Sequence, residues 1–190
     1  MNDTLSLLIG LAMGLNLLAL GTSRLPVLIR AVAAQGVLLG LLPLVLEAHA
    51  LDWRLVLITL ATVAGKGLLI PYMLIRAMRA ANIARELEPF IGYIPSLLLG
   101  AGGTIAAVAL TRYLPLLPEH AGNLHVPGAM ALILTGFILL IGRTKAISQV
   151  CGYLILENGI YLAGLLLIRS TPILVEFGIL LDVTVGVFVI

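Results

Sequence analysis

YLILENGIYL, residues 153–162, sets Glu157 and Asn158 side by side inside a long apolar run. An amphipathic helix of a soluble domain would keep such an acid on its wet face. Here apolar residues flank the pair in both directions, from about 147 to 168. The run matches the roughly 20 residues that an apolar helix needs to cross a bilayer. Glu157 then lies in hydrocarbon unless other helices cover it.

Composition extends that reading to the whole chain. The 190 residues are 61% hydrophobic and 11% charged, and the mean hydropathy is +1.18. A soluble domain has about 45–50% apolar and about 25% charged residues. The net charge of +2 gives no basic field for nucleic acid. A single cysteine, Cys151, excludes a disulfide within the chain and a cysteine-ligated cluster built by this chain alone. The first apolar run has no basic leader and no small-residue cleavage site, so it reads as a span rather than a signal peptide.

Seven apolar runs are evident, roughly 4–22, 27–47, 54–75, 91–112, 127–142, 147–168 and 172–190. The fifth is short. The seventh stops at Ile190 without a polar cap, and we expect a natural tail beyond it. Backbone groups in a bilayer must be satisfied within their own segment, which favours helices, and no run alternates as a barrel strand would. The expected fold is therefore all-α: a polytopic membrane helix bundle of about seven transmembrane helices. The loops after spans one, three and five hold Arg24, Arg76, Arg79, Arg85, Arg143 and Lys145, against Arg54, Arg112 and Arg169 on the other side. The positive-inside rule places the N-terminus outside and the C-terminus in the cytoplasm. Arg30, about one turn into span two, can snorkel to the cytoplasmic surface.

Two connections have character. RAMRAANIARELEPF reads as a basic, helical segment at the cytoplasmic interface, either against a partner or as a solvated linker. RYLPLLPEHAGNLHVPG is an outer loop shaped by Pro115, Pro118 and Pro127. Its His120 and His125 are too few ligands to argue for a metal.

Lys66, Glu157, Glu176 and Asp182 lie within the spans. Such groups face a bundle interior or a water-filled path and usually pair. At 1.5 Å per residue, Glu157 and Asp182 lie roughly 15 Å and Lys66 roughly 18 Å from their helix starts, near the middle of a layer about 30 Å thick. Glu176 lies nearer the outer surface. Gly178, Asp182 and Gly186 share a face that admits a close helix. Tyr153, Glu157 and Tyr161 form a second stripe, whose hydroxyls can serve the carboxylate. In AGKGLLIP, Pro71 predicts a kink five residues after Lys66. Asn16 and Gln35, near mid-span, either extend a polar path through water or make interhelical hydrogen bonds. Burial favours the neutral form of ionisable groups and brings their titration toward neutral pH, where they can pass protons. The same residues can instead form an ion pair that only fixes packing.

RTKAISQVCGYLILENGIYLAGLLL with ILVEFGILLDVTVGVFVI resembles the last two helices of the K-type membrane subunit of respiratory complex I. In that resemblance Arg143–Lys145 match the basic loop, Glu157 with Asn158 the first buried acid and its asparagine, and Asp182 the second acid. The asparagine here follows the glutamate directly, and Asp182 is one methylene shorter than a glutamate. With four further helices ahead, SRLPVLIRAVAAQGVLLGLLPL and AGKGLLIP included, the chain is similar to the hydrogenase-4 component E family. That implies an N-terminal extension over 1–126 and a three-helix part over 127–190. It also implies a non-redox membrane subunit of a group 4 nickel–iron hydrogenase or formate hydrogenlyase-type complex. Cofactors would be absent from this chain, with the nickel–iron centre and iron–sulfur clusters in partner subunits. Antiporter-like membrane subunits would be its neighbours in a bacterial or archaeal cytoplasmic membrane. The implied site is a proton or sodium path through Glu157, Asp182, Lys66, Glu176, Tyr153, Tyr161 and Asn158. A packing-only scaffold and an independent secondary transporter are the competing classes. No nucleophile–base set or phosphate loop argues for catalysis in the chain itself.

Overall fold

The computed structural model describes residues 2–46, 52–113 and 124–167. Span 172–190, with Glu176, Gly178, Asp182 and Gly186, lies outside the described residues, as does His120. Among those described, all extended elements are helical: α1 (Asn2–Gly21), α2 (Leu25–Gly40), α3 (Leu42–Leu46), α4 (Trp53–Ala64), a π-helical turn (Gly65–Leu69), α5 (Ile70–Ala80), α6 (Tyr93–Thr111), α7 (His125–Gly142) and α8 (Ala146–Leu167). Among the described residues, five helical stretches are long and apolar enough to cross a membrane: Asp3–Gly21, Leu25–Leu46, Trp53–Ala80, Tyr93–Thr111 and His125–Gly142. The helix carrying Glu157 runs 22 residues beside them.

Apart from α5, where exposed Arg76 and Arg79 lie opposite buried Leu74 and Met78, apolar residues surround the helices and give them no preferred wet face, so packing selects which helices lie inside. α7 and α2 are central, with 61% and 56% of their apolar windows buried, whereas α6 is peripheral at 17%. α7 and α8 form the most intimate pair. A Cβ built on Gly136 would fall 2.6 Å from the Leu156 amide nitrogen, and one on Gly152 would fall 2.9 Å from that of Leu140. Only hydrogen fits between backbones this close. The core joins Leu20, Ile29, Leu39, Leu132, Leu139, Ile155 and Leu162 from α1, α2, α7 and α8.

Three expectations change. Span three does not end near 75. It continues to Ala80, and the kink expected from Pro71 takes the form of the wide turn Gly65–Leu69, in which the Ile70 N–H reaches the Gly65 carbonyl. Pro71 has no N–H to continue the ladder, and a single π turn absorbs the defect without breaking the helix. Span two is divided at Leu41 into α2 and α3. RAMRAANIARELEPF is helical only to Ala80. Asn82 takes a left-handed φ of 52°, which ends the helix as such residues do. Residues 83–91 then run without helix.

That segment folds back onto the bundle. The Leu25 amide donates to the Ala84 carbonyl at 3.2 Å and the Glu86 amide to Ser23 at 3.0 Å, and Arg24 and Arg85 form an antiparallel bridge. The Ile91 amide donates to Gly142 at 3.1 Å. The loops after α1, α5 and α7 therefore meet at one end of the bundle.

Candidate functional site

The π turn decides where Lys66 points. A wide turn shifts the helix face by an extra residue, and close packing against α2 fixes the side chain. A Cβ on Gly36 would lie 2.8 Å from Lys66 Cβ, so glycine is what lets the lysine stem pass. The ammonium then reaches α8. Lys66 Nζ donates to Glu157 Oε1 and to Asn158 Oδ1, each at 3.0 Å. The ion pair is enclosed, with the two side chains 10% and 7% exposed.

Adjacent positions on a helix point about 100° apart, yet Glu157 and Asn158 converge on one ammonium. The offset between acid and asparagine noted in the sequence is what allows this double acceptance. Lys66 Nζ also stands 5.7 Å from the centre of the Tyr161 ring, within the range of a cation–π contact.

From Asn158 a chain of amides crosses the core. Asn158 Nδ2 donates to Gln35 Oε1 at 3.3 Å. Gln35 Nε2 donates to Asn16 Oδ1 at 2.8 Å and to the Ala12 carbonyl at 3.0 Å. All of these donors run in one sense, from Lys66 on the π turn through α8 and α2 to α1. Asn16, Gln35 and Asn158 are each buried. Side-chain amides hold no proton that titrates near neutral pH, so the chain orients the charged pair rather than conducting. Asn16 and Gln35 thus bond directly, the interhelical alternative read from sequence, and need no bridging water.

Tyr161 is buried, but its hydroxyl has no hydrogen-bond partner among the described residues. The expected hydroxyl service to Glu157 is not met there, because the residue turns its ring toward Lys66. Tyr153 is partly buried against the core. Asp182 and Glu176 lie outside the described residues. His125 is buried at the start of α7, and the described residues contain no group of three or more metal-ligating side chains.

A second polar cluster escaped sequence reasoning. Glu86, 2% exposed, caps the start of α8. Its Oε1 accepts from the amides of Thr144 and Lys145 and its Oε2 from Ser148 Oγ at 2.6 Å. Burial acts to raise the Glu86 pKa, but the hydrogen bonds from Ser148, the two amides and the Thr144 hydroxyl hold it below the ordinary carboxyl value. Arg143, 1% exposed, donates to the carbonyls of Ile91 at 3.0 Å and Leu20 at 2.7 Å. Its guanidinium lies 4.4 Å from the Tyr93 ring centre. The sequence offered Arg143 as a topological charge and as part of the basic loop in the family resemblance, not as a buried donor. Nothing local to Glu86 marks a partner 58 residues away.

The chain is 34% identical over 194 aligned residues to the uncharacterized protein Rv0085 of Mycobacterium tuberculosis, covering 100% of this chain and 88% of that protein. It belongs to the same family as Rv0085. No family model matches the chain, and no solved structure matches it.

Proposed function

We propose that this chain is a non-redox membrane subunit of a complex I-like, group 4 nickel–iron hydrogenase-type assembly, and that Lys66 and Glu157 form a proton station within it. On this reading the chain has seven spans, with the Arg24, Arg85 and Arg143 end facing the cytoplasm. It resides in the cytoplasmic membrane beside antiporter-like subunits. The observation that carries the reading is the enclosed Lys66–Glu157 pair, locked from α2 through Asn158. Ionisable groups inside a membrane are costly, and functional ion pathways are where they concentrate. A buried pair whose lysine has a carboxylate and an amide oxygen both at 3.0 Å can hold charge and release it when a neighbour changes charge. Asp182 would be the next acid on the path, with Glu176 nearer the outer surface. The redox chemistry, with its nickel–iron and iron–sulfur centres, would belong to partner chains.

The competing reading is a packing pair in a scaffold subunit, and one experiment separates the two. Glu157→Gln keeps the shape of the side chain and its acceptor oxygen. In vesicles holding the assembled complex, we expect redox-driven proton uptake to fall at least tenfold while the complex still assembles. Unchanged uptake in an assembled complex would overturn the station. Failure to assemble would favour the packing pair.

A further inference from the structure

The surroundings of Lys66 differ on its two sides. Toward one end of the bundle, α2, α5 and α8 leave a cavity of about 10 Å³, lined in part by Ala33, Gly36, Lys66, Pro71, Leu74 and Asn158. That is room for roughly one water molecule. A purely apolar cavity of this size would stay dry, but here Lys66 and Asn158 supply the two polar partners that a water requires. Ala33 precedes Gly36 in α2, and Leu74 follows Lys66 into α5. The cavity therefore lies between Lys66 and the end where Leu25 bonds Ala84. That is the end carrying Arg24, Arg85 and Arg143.

Toward the other end the helices touch. A Cβ on Gly40 would meet the Thr62 and Val63 methyl groups at 3.3 Å, and Thr62 is 4% exposed. One turn of α2 thus separates a water-sized opening from a closed contact.

We infer that water reaches Lys66 from one end of the bundle only, through the cavity between α2, α5 and α8, and that the Gly40–Thr62–Val63 contact seals the other side. The pair would then exchange protons with a single aqueous phase. This inference deepens the proton-station reading but is read by accessibility rather than transport.

The native thiol is silent for such a test, because Cys151 is fully buried. Ala33→Cys and Thr62→Cys are each made in the full chain, with Arg24→Cys, in an exposed loop, marking its own face. Sided membrane vesicles are treated with silver ion, a membrane-impermeant, thiol-reactive cation small enough to follow a single file of water. We expect Ala33→Cys to react at least tenfold faster than Thr62→Cys, and only from the face that labels Arg24→Cys. Leu74→Cys repeats the measurement from α5. Three results would each overturn the inference: equal rates at Ala33→Cys and Thr62→Cys, reaction from the opposite face, or labelling of Ala33→Cys by a lipid-soluble maleimide alone. If Ala33→Cys labels as expected while Glu157→Gln leaves proton uptake intact, the access route stands and the proton station falls.

Discussion

Lys66 is held by three different kinds of contact: a carboxylate, an amide oxygen and an aromatic face. A buried pair of this kind is sensitive to the loss of one member, because the survivor is left charged without its counter-charge. Glu157→Leu should therefore lower stability by about 3–5 kcal/mol. The double change Lys66→Met with Glu157→Leu should recover most of that loss, since apolar replacement of both members is often neutral. Unfolding of the purified protein in detergent, compared across the two single variants and the double, checks the sign. Losses that simply add in the double variant would remove the pair from any account of packing.

At the scale of elements, the chain uses glycine where helices must touch and a π turn where a side chain must be aimed. α7 and α8 approach at Gly136 and Gly152 until their backbones nearly meet, and α8 carries Glu157 and Asn158 to the core. Gly136→Leu should force the two helices apart and displace the acid from Lys66. The expected outcome is a loss of thermal stability comparable to that of Glu157→Leu, with Cys151, also on the inner side of α8, becoming reactive to thiol reagents. A variant with wild-type melting and an unreactive Cys151 would show that the pair of helices can open there without consequence. The π turn works differently. Pro71 withholds one hydrogen-bond donor, the helix widens at Gly65–Leu69, and Lys66 is turned toward α8. Sequence reasoning located that defect from Pro71 but expected a kink. Whether a missing donor bends a helix or widens it depends on what packs against it, and here that is Gly36.

At the scale of the molecule, one end of the bundle is tied by the 83–91 segment. Glu86 caps α8, Arg143 caps the end of α1, and Tyr93 donates to the Glu86 carbonyl at 2.6 Å. This knot gives the protein a pH dependence with a definite sign. The folded-state pKa of Glu86 lies below its ordinary value of 4.5. Its contribution to stability is therefore fully present above about pH 4.5 and is lost as pH falls through the lower folded-state value. The melting temperature of the wild type should drop as pH is lowered from 5 into that window. Glu86→Gln should start lower and change less over the same range. Parallel curves would mean that Glu86 is not the group responsible. Composition and run length by themselves determined that the chain is helical and apolar enough to span a membrane, because a chain with few charges and runs of 20 apolar residues has no other way to satisfy its backbone. They also singled out Lys66, Glu157 and Asn158, since isolated polar groups in apolar runs stand out without any structure. The partners could not be read in the same way. Which helix lies inside, that Gln35 and Asn16 join Asn158, that Tyr161 offers a ring rather than a hydroxyl, and that Glu86 caps α8 are matters of rotation and approach between helices that, α5 apart, are apolar on every side. Only tertiary packing sets those angles, because no amphipathic stripe in the sequence encodes them.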